Sequence, residues 1–184
     1  MEMSVIEGSP TGRAAIAEAA LVELQPLVVR TVRLVVGSGS AVAEDAAQEA
    51  LLELSRALPS LRSGGSAGAF AAKIAARVAL RAVKRERRFA LLGLRVHELP
   101  GSLSVANGQP AELVELKEAF DRLPARQRAT AVLRLHVGLS EQETAEALGC
   151  SVGTVKHQLH DARRALAAYL EGSGGGAHLR RGRS

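Results

Sequence analysis

Residues 139–169 read LSEQETAEALGCSVGTVKHQLHDARRALAAY, and this stretch encodes two helices joined by a tight turn. Ser140 stands before the first helix with Glu143 three residues on. The hydroxyl can accept from an unpaired backbone N–H at the helix start while the carboxylate reaches back to the Ser140 N–H, the reciprocal pattern of a capping box. Gly149 tolerates a positive φ where that helix must stop, and Ser151 can cap a second helix two residues later. Ala145 is small where the helices cross, and Leu148, Cys150 and Val155 are apolar where the angle closes. Val155, Leu159, Ala162, Leu166 and Tyr169 continue one stripe at helical spacing. The opposite face carries Gly153, Lys156, His157, His160 and Arg164. In a DNA-binding helix-turn-helix the second helix enters the major groove, early polar residues at base edges and basic ones at phosphates. On that reading Ser151, Gly153, Thr154, Lys156, His157 and His160 face the groove, and Arg164 meets phosphate a turn later.

Outward from this unit, apolar residues recur at three and four, and Ala, Leu, Glu and Arg dominate. The expected fold is all-α, with two small helical domains joined by a flexible linker and a helix-turn-helix in the C-terminal one. A helical pattern runs from about Arg13 to Val36 through Ile16, Ala20, Leu24, Leu27 and Val28, with Pro26 either kinking it or starting a second helix. The GSGS at 37–40 ends it. A helix over 41–58 puts Ala47, Leu51, Leu54 and Leu58 on one face and stops at Pro59, and a third helix follows the loop Ser60 to Ser66. Residues 89–110 hold Gly93, Pro100, Gly101, Asn107 and Gly108 without periodicity and read as a linker. The boundaries are therefore 13–88 and 111–171 for the domains, 89–110 for the linker and 172–184 for a basic, glycine-rich, disordered tail. The second domain would use Leu113, Leu116, Phe120 and Leu123 on its first helix. Each domain is near the size at which a single core is marginal, so docking on a partner would help hold it.

Composition narrows the chemistry. The 184 residues carry a formal net charge of +5, which suits a polyanionic partner. Cys150 is the only cysteine, so no intramolecular disulfide and no multi-thiolate zinc site can form. No metal-ligand set, phosphate loop or nucleophile–base pair stands out, and His157 with His160 reads as a groove-facing pair rather than half a metal site. No catalysis and no cofactor are expected. No apolar run approaches the roughly 18 residues that span a bilayer, and no basic-then-apolar leader opens the chain, so a cytoplasmic protein without a membrane partner is expected.

Two further surfaces carry charge. On the helix over 41–58, Asp45, Glu49 and Glu53 repeat every four residues with Gln48, Leu52 and Arg56 beside them. Most such stripes are solvated faces, but an acidic row with an exposed leucine also fits a basic protein surface. On the helix over 67–88, Ala71, Ile74, Ala75, Val78 and Ala82 form the apolar face, while Phe70, Lys73, Arg77, Arg81, Lys84 and Arg88 align beside it with Glu86 the only acid. Such a basic track suits a phosphate backbone.

The order of these parts resembles the extracytoplasmic-function group of bacterial RNA polymerase sigma factors, in which region two and region four are joined by a flexible linker. AEDAAQE at 43–49 resembles the region-two segment that contacts core polymerase, which implies that role for Asp45, Gln48, Glu49, Leu52 and Glu53. Phe70 to Arg88 is similar to the helix that works on the minus-ten element, with the loop 60–66 in the place that captures a flipped base. LPARQR at 123–128 and TVK at 154–156 resemble region four, which reads the minus-thirty-five element. The likeness spans about residues 20–170. It implies core RNA polymerase and promoter DNA as partners, with an anti-sigma factor as a further one. Four positions depart from the family's frequent choices: Phe70 for Trp, Arg77 for Asn, Arg81 for Asp and Asp161 for Arg. With three Phe, one Tyr and no Trp, base-stacking platforms are few, and strand opening falls to Phe70. Two competing readings remain at this level: a helix-turn-helix regulator acting without polymerase, and a polymerase-binding regulator unable to melt DNA.

Overall fold

The computed structural model describes residues 10–37, 40–61, 66–92 and 111–179. Among them there is no strand. The helices are α1 (Pro10–Val36), α2 (Ala43–Ala57) with a 3₁₀ turn at Leu58–Ser60, α3 (Ala67–Leu91), α4 (Ala111–Arg122), α5 (Ala125–Ala131) opening into a π turn at Val132–His136, α6 (Glu141–Leu148) and α7 (Val152–Leu179). α1 runs unbroken through Pro26. Pro26 and Val22, whose carbonyl loses its partner, are both exposed, so water can replace the missing bond. Gly37, at φ 108°, then ends the helix as the GSGS run predicts. Ser66 caps α3 by accepting from the Ala69 N–H at 3.2 Å.

Two boundaries differ from the sequence reading, and two of its segments are not fully described. α3 continues to Leu91 rather than stopping at Arg88. Most of the expected linker, 93–110, and the loop centre, 62–65, lie outside the described residues. α7 carries on to Leu179 through a stretch expected to leave the domain. Its glycines are each about 1 kcal/mol worse than alanine in a helix, which is what composition registered.

α1, α2 and α3 pack together. The predicted apolar face of α3 is fully inside: Ala71, Ile74, Ala75, Val78 and Ala82 are all buried, against Val28, Val32 and Val35 of α1 and Ala46, Ala47, Ala50 and Leu54 of α2. Ile16, on the expected stripe of α1, is exposed; Ala17, Ala20, Leu21 and Leu24 pack partly buried against the core, and full burial of that helix begins at Val28. A second stripe of α3, Ala72, Ala76, Ala79 and Val83, is buried as well. The sequence reading missed it because alanines do not mark a face on their own. It is covered because α3 is packed from a second side, by α5 and α6.

The two halves therefore share one core. Ala125, Ala129, Val132, Leu133, Leu139, Ala147 and Leu148 of the C-terminal half belong to the same cluster as Val28 to Val83. A smaller cluster of Leu123, Ala131 and Ala162 is internal to the C-terminal half. Each half is too small for a generous core, and each completes the other's.

Arg128 fixes the seam. It is 7% exposed, and its Nε donates to the Val35 carbonyl at 3.0 Å and its Nη2 to the Val36 carbonyl at 2.9 Å. Nη1 donates to the Asp121 carbonyl at 3.0 Å. The last carbonyls of a helix have no partner within it and carry the negative end of its dipole, so a planar cation with five N–H groups is a good match for the end of α1. Burial lowers the Arg128 pKa, with Asp121 opposing the shift. Gly37 is needed for this approach: a Cβ there would lie 3.1 Å from Arg128 Nη1 and 3.3 Å from Asp121 Oδ1.

Candidate nucleic-acid interface

The helix-turn-helix is capped as the sequence implies. Ser140 Oγ accepts from the Glu143 N–H at 3.1 Å, and the Ser140 N–H donates to Glu143 Oε2 at 2.8 Å. The Ser140 N–H first, and then the Ser140 hydroxyl donating to the same Oε2 at 2.8 Å, hold the Glu143 carboxyl below its usual pKa. Gly149 adopts φ 61°, ψ 47°, and the Cys150 N–H closes the turn on the Ala145 carbonyl at 3.0 Å. Ser151 Oγ then accepts from the Thr154 N–H at 3.1 Å and starts α7. Val155, Leu159 and Ala162 are buried, Leu166 is half-buried, and Tyr169 is only half-buried because its ring lies under Arg122 at 4.7 Å and its hydroxyl donates to Glu118 at 2.9 Å.

α7 turns Ser151, Gly153, Lys156, His157, His160 and Arg164 outward, with Thr154 half-exposed. A cleft of about 600 Å³ beside them runs between α7 and α5, lined by Gln127, Ser151, Thr154, His157 and Asp161. Three polar contacts on this face escaped the sequence reading. Lys156 Nζ lies 3.5 Å from Glu141 Oε2, at the start of α6. His157 Nδ1 lies 2.9 Å from Asp161 Oδ2, one turn on. Thr130 Oγ1 and Gln158 Oε1 are 2.7 Å apart, which ties Gln158 to α5 and takes it off the reading face. The i,i+4 spacing of His157 and Asp161 could have signalled the second pair.

The basic track on α3 is outward as well: Arg77, Arg81, Lys84 and Arg88 are exposed and Lys73 half-exposed. Its cations are not equally available. Arg81 Nη2 lies 2.6 Å from Glu53 and 3.4 Å from Glu49, and Arg85 Nη2 lies 3.5 Å from Glu49. The hydrogen bond that Arg81 donates to Glu53 raises the Arg81 pKa. Glu49 and Glu53 of the acidic row thus face α3, while Asp45, Gln48, Leu52 and Arg56 remain exposed on α2. Phe70 is half-buried and packs against the shared core.

Two family models match in the same order as these halves. The sigma-70 region 2 model covers residues 21–89, from within α1 to near the end of α3, and the sigma-70 region 4 model covers residues 113–166, from α4 into α7. The chain is 33% identical over 166 residues to the ECF RNA polymerase sigma factor SigD of Mycobacterium tuberculosis, covering 82% of this chain and 75% of that one. The chain belongs to the ECF RNA polymerase sigma factors. EcfG of Rhodopseudomonas palustris is 31% identical over 134 residues, 70% of this sigma factor and 71% of that one. In fold, it is similar to the sigma factor RpoE of Bartonella quintana, solved with the anti-sigma factor NepR, at a TM-score of 0.65 and 23% identity over 84% of this chain and 96% of that one. CnrH, solved with the cytosolic domain of CnrY, gives 0.53 and 22% over 91% and 92%. The region 2 match thus runs over α1 to α3, and the region 4 match over α4 to α7. Among the described residues no helix is long and apolar enough to cross a membrane.

Proposed function

We propose that this sigma factor binds core RNA polymerase through α2, reads the minus-thirty-five element with α7, and engages the minus-ten element with α3. Asp45, Gln48 and Leu52 are the exposed part of the polymerase dock, with Glu49 and Glu53 behind them. Ser151, Gly153, Thr154, Lys156, His157 and His160 meet base edges and Arg164 meets phosphate; Lys73, Arg77, Lys84 and Arg88 follow the backbone, and Phe70 stacks on an unpaired base. Arg81 joins that track by exchanging Glu53 for phosphate. The protein acts in the cytoplasm, without catalytic activity of its own, and an anti-sigma factor is its natural antagonist by likeness to the RpoE pair. The observation that carries this reading is the recognition helix, capped at both ends of its turn and presenting an unobstructed polar face in a chain whose other half matches region two.

The closed seam adds a requirement. α3 packs on α6, and α6 on α7, which puts the two reading helices within about two helix diameters, roughly 20–24 Å. The elements they read lie about 25 base pairs apart by their names, or about 85 Å of duplex at 3.4 Å per base pair. Both cannot be held until the halves separate, so the Arg128 seam opens when polymerase is engaged.

Core-dependent run-off transcription over a library of promoter fragments tests the assignment. Transcripts sharing a two-element upstream sequence, made only with both core and this chain, are expected. DNA binding indifferent to core would instead make it a free-standing regulator, and core binding without transcripts a regulator that cannot open DNA.

A further inference from the structure

Asp161 is out of place on a surface that must approach a polyanion, at a position where the family resemblance has arginine. Its carboxylate is three-quarters shielded and is spent on one partner at hydrogen-bond distance: Oδ2 lies 2.9 Å from His157 Nδ1, while Arg164 Nη2 stands at 3.9 Å from Oδ1. The His157 side chain is 78% exposed on the reading face. A carboxylate accepts and cannot donate, so it selects the ring tautomer with the proton on Nδ1. The outward nitrogen, Nε2, is then an acceptor in the neutral ring.

We infer that Asp161 is a positioning residue for base recognition, fixing His157 so that Nε2 accepts from an exocyclic amine, N4 of cytosine or N6 of adenine, in the minus-thirty-five element. In the major groove only those two bases present a donor, while guanine and thymine present acceptors at the equivalent positions. The inference rests on region four reading that element through α7.

The test uses the full chain with core polymerase on duplexes randomised over the minus-thirty-five element at pH 8.0. Wild type should favour cytosine or adenine at one position by about five-fold, the effect of a single neutral hydrogen bond. Asp161→Ala should lose that preference and His157→Ala should lose the same one, with the double variant no worse than either. Total affinity should meanwhile rise in Asp161→Ala, because a negative charge has left the DNA face, so the lost preference is not a loss of folding or binding. Long-range ¹⁵N–¹H spectra of the full chain should show His157 protonated at Nδ1 in wild type and redistributed toward Nε2 in Asp161→Ala. An unchanged preference in Asp161→Ala, or a wild-type ring protonated at Nε2, overturns the inference alone. A wild type without preference anywhere in the element overturns the reading of region four with it.

Discussion

The helix-turn-helix and the seam between the halves are both held by hydrogen bonds between side chains and backbone, but over very different lengths of chain. Ser140 and Glu143 satisfy each other across three residues, and Ser151 caps α7 across three more. Arg128 reaches carbonyls 92 and 93 residues away. A local cap is available to the chain before anything else folds, and its loss weakens one turn. A long-range cap forms only once both halves are built, so its loss acts on their docking.

The largest expected effect separates these two cases. Arg128→Met keeps the length of the side chain but leaves the Val35, Val36 and Asp121 carbonyls without their charged donor, at a cost of about 2–4 kcal/mol. Because the bonds to Val35 and Val36 cross the seam, the loss should appear mainly as separation of the halves. Small-angle scattering of Arg128→Met should give a larger radius of gyration than wild type, and urea unfolding should change from one transition to two. An unchanged radius with a single, slightly shifted transition would mean that the apolar core alone holds the halves together.

Ser140→Ala tests the local side of the comparison and should cost about 1 kcal/mol, the usual worth of an N-cap. Region four should melt earlier while the radius of gyration stays at the wild-type value. DNA selectivity should also survive, because the Ser151 cap and the reading face of α7 are untouched. Expansion of the molecule on this substitution would show that the first helix of the motif is itself part of the latch.

The same distinction explains what was legible in the sequence. Ser140, Glu143, Gly149 and Ser151 declare the motif because each cap is a spacing of a few residues, and the apolar faces of α2 and α3 follow from period alone. Arg128 sits inside a motif that resembles region four, yet its one-dimensional neighbours give no sign that it caps α1. Ala72, Ala76 and Ala79 likewise give no sign of being covered, since alanine is at home on either side of a helix. On the reading surfaces, charge was visible but its pairing was not: Arg81 looks like a phosphate contact in sequence and is found against Glu53, whose helix is a separate element. His157 and Asp161 stand at the i,i+4 spacing that pairs side chains on a helix, so their contact is legible in the sequence.

The smallest effect probes the seam by pH. His136, on the π turn after α5, has its pKa lowered by burial first and then by Arg30 of α1 across the seam. A neutral ring is therefore favoured in the folded, docked protein, while the unfolded chain titrates near the ordinary value of about 6.5. Where the unfolded state binds more protons, stability rises with pH. The contribution of His136 is thus fully present above about pH 6.5 and is lost as the pH falls from there toward the lowered folded value. His136 is largely exposed, so solvent screens the repulsion and the loss should be well below that of Arg128→Met. Urea midpoints at pH 7.5 and 5.5 for wild type and His136→Asn isolate it, since His97, His157, His160 and His178 remain in both proteins. The drop in midpoint on acidification should be smaller in His136→Asn, and Arg30→Gln should remove part of the same difference without removing all of it, because burial is the larger cause. An equal drop in wild type and His136→Asn would show that the ring titrates alike in the folded and unfolded protein, and that α1 meets the π turn without electrostatic strain.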